Sequence, residues 1–269
     1  MKIAITTIAT GKYDVFVPSL IDSCERYFLP NAEKTYFVFT DSDKIPSTDK
    51  IVKVDQSKLG WPYDTMMRFH MFFSIKEELE KFDFVFFMNA NMEVVSLISR
   101  DILPTEEESG LVATHHPGFY REHPRLFTYE RNPKSNFYIP FGSGKNYVQG
   151  CFNGGRSKEF LKMCREIKDR IDADLRNRII PIWHDESALN WYLLDKNPKL
   201  LHPVYAWPEF VNPDKKEILQ MSKTIKQEEI DKYLSQGEKD PYLHIKERKR
   251  TMIIQRDKNF FGGKIALRS

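Results

Sequence analysis

The sequence predicts an α/β protein built on a mostly parallel central sheet that helices cover on both faces. Three observations predict this class. Short runs of β-branched and aromatic residues, typical of buried strands, recur along the first 90 residues. Helical segments with an apolar face separate these runs, and polar residues or glycine follow most of them directly. Strands that alternate with helices form parallel sheets.

In chain order, the predicted strands cover residues 3–8, 34–39, 51–55 and 84–88, and the predicted helices cover residues 15–27, 66–82, 158–179 and 187–194. The first strand is a β-branched run that ends before Gly11. The first helix places Val15, Leu20, Cys24 and Tyr27 roughly on one face. The second strand is aromatic, and the third is a short β-branched run.

The second helix is rich in Met and Phe, and the fourth strand is an apolar run that leads directly into Asn89-Ala90-Asn91. Ligands of parallel sheets bind beyond the carboxyl ends of the strands, where Thr10-Gly11, Thr40-Asp41 and the Asn pair lie. Residues 115–152 are rich in Pro, Gly and aromatic residues without a regular period. Because such long irregular inserts are usually functional, we expect site residues there.

Composition and charge narrow the function classes. Hydrophobic residues make up 41% and charged residues 29% of the 269 residues, which excludes a disordered chain. The net charge is +3, but the segment from Lys246 onward has eight basic and two acidic residues, which leaves the preceding part near −3. Three cysteines without metal-site spacing indicate a reducing compartment. We recognise neither a signal sequence nor a membrane-spanning segment.

The Asn89-Ala90-Asn91 segment has two polar side chains one residue apart after a buried strand. Aspartates there would indicate a divalent metal bound to a diphosphate, because hard cations prefer anionic oxygen ligands. Asparagine offers a neutral carbonyl and an amide donor instead, so such a site would hold Mn²⁺ or Mg²⁺ poorly. On this motif alone, a turn remains the simpler interpretation.

The segment Trp183-His184-Asp185-Glu186-Ser187 combines an aromatic ring, an imidazole and two carboxylates, which suits sugar binding with acid–base or nucleophilic chemistry. The alternative is a helix N-terminus, in which Asp185 or Ser187 caps the helix. For the segments 116–120 and 127–131 in the insert, the alternative to sugar binding is packing of their aromatic side chains in the protein interior. The glycine-rich segment 150–155 permits close ligand approach or forms a tight turn.

Taken together, these segments resemble glycosyltransferase family 6, the family of the histo-blood-group ABO transferases and the α-1,3-galactosyltransferases. The matching stretches, in the order of the family, are GKY (11–13), YFVFT (36–40), MMRFHMF (66–72), MNANMEV (88–94), HPGFY (116–120), FTYERNPKSNFYIP (127–140), GCFNGG (150–155) and WHDESALNWYLL (183–194). The resemblance implies a GT-A fold, a single Rossmann-like domain over residues 1–235. It does not reach residues 236–269, which we predict to be a basic C-terminal extension.

The family transfers Gal or GalNAc from a UDP donor to the 3-OH of a galactose, with retention at the anomeric carbon. The resemblance therefore implies donor-binding roles for Ala9, Thr10, Tyr13, Arg68, Asn89, Ala90, Asn91, Gln149, Gly150, Cys151, Asp185, Lys226 and Lys232, acceptor-binding roles for His116, Thr128, Trp183 and Trp207, and a catalytic role for the carboxylate of Glu186.

The Asn pair departs from the animal members of the family, which have Asp-Val-Asp and use Mn²⁺. Bacterial members with the Asn form are regarded as metal-independent, so the resemblance implies a bacterial-type enzyme without a metal or other cofactor. MSKTIK (221–226) resembles the flexible C-terminal end of the family. We therefore expect Lys226 to neutralise the diphosphate, with Lys223 and Arg68 as helpers.

We expect UDP-GalNAc as the donor, because small residues at Gly150 and Cys151 leave space beside the sugar C2 substituent, and Gln149 can hydrogen-bond to it. UDP-Gal is the alternative. By family analogy, the acceptor is a fucosylated galactose of the blood-group H type. Glu186 acts either as a nucleophile or by stabilising an oxocarbenium-like transition state while the acceptor enters on the leaving-group face.

We expect a cytoplasmic location. The basic tail suits contact with the inner face of an anionic membrane, and a solvated terminus is the open alternative. Two rival classes rank lower. A carbohydrate-binding module would need the tryptophans but not Glu186 or Lys226. Nucleic-acid binding would depend on the tail alone, so we expect no nucleic-acid partner.

Overall fold

The computed structural model describes residues 1–120, 122–208 and 253–255. The strands are β1 (Lys2–Ile8), β2 (Glu33–Thr40), β3 (Ile51–Asp55), β4 (Phe84–Met88), β5 (Met92–Val94), β6 (Leu111–His115), β7 (Val148–Arg156), β8 (Lys199–Leu201), β9 (Trp207–Pro208) and β10 (Ile253–Gln255). The α-helices are α1 (Val17–Tyr27), α2 (Tyr63–Met66), α3 (Arg68–Ser74), α4 (Lys76–Leu79), α5 (Ser157–Arg176) and α6 (Asp185–Leu193).

The central sheet is mostly parallel, as the sequence predicts. Its strand order is β3-β2-β1-β4-β7-β6-β8. All neighbouring pairs are parallel except those of β7, which runs antiparallel to both β4 and β6. Because β1, β2 and β4 run in the same direction, the segments that follow them meet at one edge of the sheet.

Alternating side chains of the strands build two core layers, one on each face of the sheet. Along β4, Phe86 and Met88 pack in one layer with α1, whereas Val85 and Phe87 pack in the other with α3 and α5. Both layers are closed to solvent. The α/β class with a sheet covered by helices, consistent with a GT-A-like fold, is therefore confirmed.

The helix predicted at residues 66–82 is wrong as a single element. The structure interrupts it at Met67 and at Ile75, where ψ is 4° and 28°. Near the second break, the Ser74 hydroxyl donates to the Met71 carbonyl at 2.7 Å and competes with the helical hydrogen bond to that oxygen. The first predicted helix begins later, at Val17, because residues 11–16 form a 3₁₀ turn.

A second, small sheet lies beside the first and has the order β5-β10-β9. β10 runs antiparallel to β5, with Gln255 opposite Met92, and parallel to β9. Residues 253–255 belong to the predicted basic extension, and their partners belong to the predicted transferase domain. Across the described ranges, no helix is both long enough and apolar enough to cross a bilayer.

Candidate active site

A cavity of about 520 Å³ opens at the edge of the sheet where β1 and β4 end. This volume lies within the range that small-molecule sites occupy. The lining residues come from the ends of both strands and from the start of the α2–α3 region. They are Ile8, Thr10, Gly11, Lys12, Tyr13, Lys58, Trp61, Asp64, Thr65, Arg68, Phe87, Asn89, Ala90 and Asn91.

The turn after β1 shapes one wall of this cavity. Gly11 has φ of +61°, a left-handed conformation that glycine adopts without strain. Its N–H donates to Asp41 Oδ1 at 2.7 Å, which ties the end of β1 to the end of β2. Tyr13 follows in the 3₁₀ turn, and its exposed ring lies 5.8 Å from that of Phe16. The predicted meeting of Thr10-Gly11 with Thr40-Asp41 is confirmed.

The Asn89-Ala90-Asn91 segment forms a tight turn between β4 and β5. The Asn89 N–H donates to the Cys151 carbonyl on β7, and the Asn89 carbonyl accepts from the Met92 N–H, both at 3.0 Å. The turn interpretation of this motif is therefore confirmed, and the same residues also line the cavity, while their binding of a ligand stays a prediction.

The donor set of this turn differs from the anionic oxygen ligands that a divalent metal prefers. Its side chains are neutral amides, and the cavity around them includes the basic residues Lys12, Lys58 and Arg68. In the described part of the chain, no three His, Cys, Asp or Glu side chains are grouped to hold an ion. Since Mn²⁺ and Mg²⁺ prefer anionic oxygen ligands, this donor set favours a different source of positive charge.

Helix α6 begins in a strained conformation that directs two carboxylates toward the cavity side of the sheet. His184 has φ of 53° and ψ of −113°, an unusual backbone conformation for a non-glycine residue. Such strain typically costs about 1–3 kcal/mol and persists where surrounding contacts enforce it. Two contacts hold this segment. The Trp183 N–H donates to Ser187 Oγ at 3.0 Å, and the Ile182 N–H donates to Glu130 Oε2 at 2.7 Å.

Asn190 connects α6 to strand β7. Its Oδ1 accepts from the Val148 N–H at 2.9 Å, and its Nδ2 donates to the Val148 carbonyl at 2.8 Å. The amide thus pairs with the edge of β7 in the way that a neighbouring strand would. This connection sets the position of Glu186, one helical turn earlier, relative to Gly150, two residues further along β7.

Glu186 is held by two hydrogen-bond donors. The Gly150 N–H donates to its Oε2 at 3.1 Å, and the Tyr147 hydroxyl also donates to this carboxylate. Burial and the nearby charge of Asp185 raise the pKa of Glu186 to about 7, and the two donors together with Arg68 oppose this rise. A carboxylate with a pKa near neutrality is typical of a catalytic group.

Arg68 links this carboxylate pair to the cavity. Its Nη2 lies 2.6 Å from Asp185 Oδ2, and both side chains are almost fully buried. The guanidinium also lies 4.5 Å from the centre of the Phe87 ring, which fixes it between the cavity and α6. Gly150 leaves no room for a side chain here, since a Cβ would lie 2.5 Å from Asp185 Oδ2.

Two of the predicted acceptor residues lie together on the other side of Glu186. The Thr128 hydroxyl donates to the Tyr147 hydroxyl at 3.1 Å, and the ring of His116 lies 5.7 Å from the Tyr147 ring. Burial lowers the pKa of His116 to about 4, so this imidazole is neutral at physiological pH. Trp183, which is 46% exposed, lies directly before the α6 carboxylates.

The structure does not bring every predicted residue to this site. Ala9 is buried at the end of β1, and Trp207 is 1% exposed within the core. Gln149 Nε2 donates to the carbonyls of His115 and Ala206 at 3.2 and 3.1 Å, and its Oε1 accepts from the Cys151 thiol at 3.0 Å. Neither amide hydrogen of Gln149 therefore remains for a sugar.

Lys223, Lys226 and Lys232 lie outside the described residues, so their predicted roles at the diphosphate stay predictions.

Sequence reasoning missed several residues that the structure places at the site. Lys12, Lys58 and Trp61 line the cavity, Asn190 donates a hydrogen bond to the Glu186 carbonyl, and Tyr147 acts on the Glu186 carboxylate. Asn190 could have been found, because it lies in the predicted helix 187–194 and follows Glu186 by four residues, a spacing that shares a face when the helix extends back to Glu186, as it does in α6. Lys58 lies in an irregular loop, where residue spacing does not predict which side chains lie on the same side.

Comparisons with known proteins agree with this geometry. The sequence model of glycosyltransferase family 6 matches residues 1–233. The O-antigen biosynthesis glycosyltransferase WbnI of Escherichia coli is 36% identical over 211 residues, which cover 78% of this chain and 89% of WbnI. The histo-blood group ABO system transferase 2 of Rattus norvegicus is 33% identical over 215 residues, 77% of this chain and 64% of that protein.

The globoside alpha-1,3-N-acetylgalactosaminyltransferase 1 of Gallus gallus is 31% identical over 223 residues, 78% of this chain and 62% of that protein. The chain thus spans less than two thirds of the two animal relatives and most of the bacterial one. The family match covers the strand ends that line the cavity, the insert, and the carboxylate pair at the start of α6. An enzyme of this class takes a nucleotide-sugar donor and a glycan acceptor. The chain therefore belongs to glycosyltransferase family 6 and is a hexosyltransferase.

Proposed function

We propose that the enzyme transfers GalNAc from UDP-GalNAc to the 3-OH of a galactose residue, in α-1,3 linkage, with retention and without a metal. The acceptor galactose is fucosylated and of the blood-group H type. The observation that carries this proposal is the arrangement of Glu186 beside the Arg68–Asp185 pair at the inner end of the cavity. This arrangement positions the Glu186 carboxylate next to the donor sugar when the nucleotide of the donor binds at the carboxyl ends of β1 and β4.

Each side chain has a defined task in this proposal. The turn at residues 10–13 holds the uridine, with Tyr13 against the base. Asp185, fixed by Arg68, accepts hydrogen bonds from the hydroxyls of the donor sugar. Glu186, held by the Gly150 N–H and the Tyr147 hydroxyl, stabilises positive charge at the anomeric carbon. His116 and Thr128 contact the acceptor.

Two routes are consistent with retention. In the first, a Glu186 oxygen attacks the anomeric carbon while the bond to the diphosphate breaks; the acceptor oxygen then displaces the carboxylate and gives its proton to a phosphate oxygen of the UDP released in the first step. In the second, the acceptor enters on the face from which UDP leaves, and the departing phosphate oxygen takes the acceptor proton. Both routes require the ionised form of Glu186, which is about half of the molecules at a pH equal to its pKa of about 7.

UDP-Gal remains the second candidate donor, and one observation favours it. The Gln149 amide hydrogens already bond to two backbone carbonyls, so they do not provide the expected hydrogen bond to an acetamido group. The name of the chicken relative refers to N-acetylgalactosamine transfer, which supports GalNAc. Initial rates with the two donors at equal concentration decide between them, and faster transfer of galactose would reject our first choice.

The variant Glu186→Gln tests the catalytic assignment. It should lose about 10²-fold or more of the transfer rate while UDP still binds, because the cavity itself is unchanged. The matched control is Glu80→Gln, an exposed carboxylate at the end of α4 that does not line the cavity. If Glu186→Gln transfers sugar as fast as this control, Glu186 is not the catalytic carboxylate.

We also propose a cytoplasmic location with peripheral membrane contact through the basic tail. Its support is the cluster of basic residues after position 245. Deleting the tail would also remove β10, so the better test replaces Lys246, Arg248, Lys249 and Arg250 by serine. Loss of sedimentation with anionic liposomes, but not of transfer activity, is expected. Equal sedimentation of both proteins would exclude the membrane contact.

A further inference from the structure

The charges along the cavity do not balance without a ligand. Its lining includes three basic residues, Lys12, Lys58 and Arg68, and one acidic residue, Asp64. Arg68 forms its ion pair with Asp185 behind the cavity wall. Among the described residues, neither Lys12 nor Lys58 has a carboxylate within ion-pair distance. Two positive charges thus face the cavity without a partner there.

The loop that carries Lys58 is held in place over the turn after β1. The Leu59 N–H donates to Asp64 Oδ1 at 2.7 Å, and the Asp64 N–H donates to the Gly60 carbonyl at 2.9 Å. Lys58 extends toward Gly11, where a Cβ would lie 3.9 Å from its Nζ. These distances place the ammonium group close to the backbone of the turn after β1.

We propose that Lys58 and Lys12 bind the diphosphate of the nucleotide-sugar donor and supply the positive charge that a divalent metal supplies in other transferases. The proposal rests on the proposed UDP-sugar function and deepens it. The diphosphate of a nucleotide sugar carries two negative charges at neutral pH, which the two lysines match. Both lysines line the cavity and are exposed to solvent, and ammonium groups bind phosphate as flexible point charges.

This assignment differs from the expectation that Arg68 helps at the diphosphate. The guanidinium of Arg68 is engaged by a buried carboxylate 2.6 Å away, so most of its charge is already compensated. Its task is to hold Asp185, whereas the lysines remain available for a soluble anion. The two kinds of cation at this cavity therefore have separate functions.

Binding of uridine, UMP and UDP to the full chain tests the proposal without relying on turnover. Calorimetry should compare the wild type with Lys58→Gln, Lys12→Gln and the double variant. We expect Lys58→Gln to weaken UDP binding about tenfold at low salt, since a charge-assisted hydrogen bond is lost, while uridine affinity stays within about twofold. Because the lost interaction is electrostatic, the salt dependence of UDP binding should also decrease.

Two further variants separate charge from structure. Lys58→Arg should restore UDP affinity to within about threefold of the wild type, because it keeps the positive charge. Lys81→Gln, an exposed lysine paired with Glu78 on the surface, should bind all three ligands as the wild type does.

Three outcomes overturn the proposal in distinguishable ways. If the wild type binds neither UDP nor UDP-sugars, the proposed function fails and the lysine site fails with it. If the wild type binds UDP and the double variant binds it equally well, the lysines do not contact the diphosphate, and the proposed function stands. If Lys58→Gln weakens uridine and UDP equally, the residue supports the loop rather than the phosphates.

Discussion

Arg68 Nη2 lies 2.6 Å from Asp185 Oδ2, and the backbone of Gly150 packs directly against this ion pair. The contact joins three distant parts of the chain, namely α3, β7 and α6. It places the N–H of Gly150 on the carboxylate of Glu186 at 3.1 Å. The geometry of the Asp185 and Glu186 carboxylates therefore depends on a glycine that has no room for a side chain.

The substitution Gly150→Ala should disable the site through this contact. A Cβ would lie 2.5 Å from Asp185 Oδ2 and 3.1 Å from Arg68 Nη2, so the ion pair must shift. We expect a loss of transfer rate of about tenfold or more with a smaller change in thermal stability, on the order of 1–3 kcal/mol. Transfer kinetics and urea unfolding check this result. Unchanged kinetics would show that the space beside Gly150 does not matter.

Removing the amide of Asn190 should separate α6 from β7. Asn190→Leu leaves the buried N–H and carbonyl of Val148 without partners, which costs about 1–3 kcal/mol for each unsatisfied group. We expect a lower free energy of unfolding and a transfer rate that falls further than UDP affinity, because Glu186 shifts while the cavity persists. A variant that is destabilised but fully active per folded molecule would contradict the positioning role.

The pKa of Glu186 predicts how activity and stability depend on pH. Because its folded-state pKa is raised to about 7 from the ordinary 4.5, folding favours the protonated acid. The stability contribution of this group is therefore fully present below about pH 4.5 and is lost as pH rises toward 7. Transfer requires the ionised carboxylate and should increase over the same upper range. Glu186→Gln should gain stability over the wild type by on the order of 2–3 kcal/mol above pH 7.

Tyr147→Phe should move the acidic limb of the activity profile to higher pH. The substitution removes a hydroxyl that donates to the ionised carboxylate, while burial and the charge of Asp185 continue to raise the pKa of Glu186 and Arg68 continues to lower it. We expect a shift of about half to one pH unit in kcat/KM. Tyr129→Phe is the control, since its ring stacks on Tyr147 at 5.4 Å but its hydroxyl donates to the Asn146 carbonyl. Equal shifts in both variants would indicate a packing effect.

The C-terminal lysines need a separate comparison. The family resemblance predicts that Lys226→Ala weakens UDP binding. Strand β10 suggests Lys258 as a second candidate for the same role. Gln255 of β10 pairs with Met92, which is adjacent to Asn91, and Lys258 lies three residues after Gln255 in the sequence. Affinities of Lys226→Ala and Lys258→Ala for UDP decide between them. A loss confined to Lys258→Ala would reject the alignment that assigns Lys226.

The sequence predicts the sheet and the meeting of its strand ends well, because local apolar runs such as Phe84–Met88 determine both. The break at Ile75 escapes prediction, since it depends on a hydroxyl that competes with one backbone hydrogen bond. Motif resemblance assigns Arg68, Asp185 and Glu186 together, but only the structure shows that the arginine is neutralised by the aspartate. Contacts between residues far apart in sequence leave no periodic pattern in the sequence from which they can be predicted.

The same limit explains the residues that the sequence did not bring to the site. The side chain of Gln149 has every group needed for a sugar, yet its neighbours in space, the carbonyls of His115 and Ala206, use its two amide hydrogens. Lys58 is the opposite case, because the sequence does not assign it to the site and the structure places it there. It lies in a loop without a recognisable pattern, and the path of the chain alone brings it above Gly11.

The initial rate of sugar transfer in excess EDTA, compared with the rate in saturating Mn²⁺, tests most directly whether protein cations replace a metal. Neutral Asn89 and Asn91 beside lysine-lined walls predict equal rates in the two conditions, with product formed throughout in EDTA. No product in EDTA, with transfer restored only by added Mn²⁺, would contradict the claim that protein cations replace a metal.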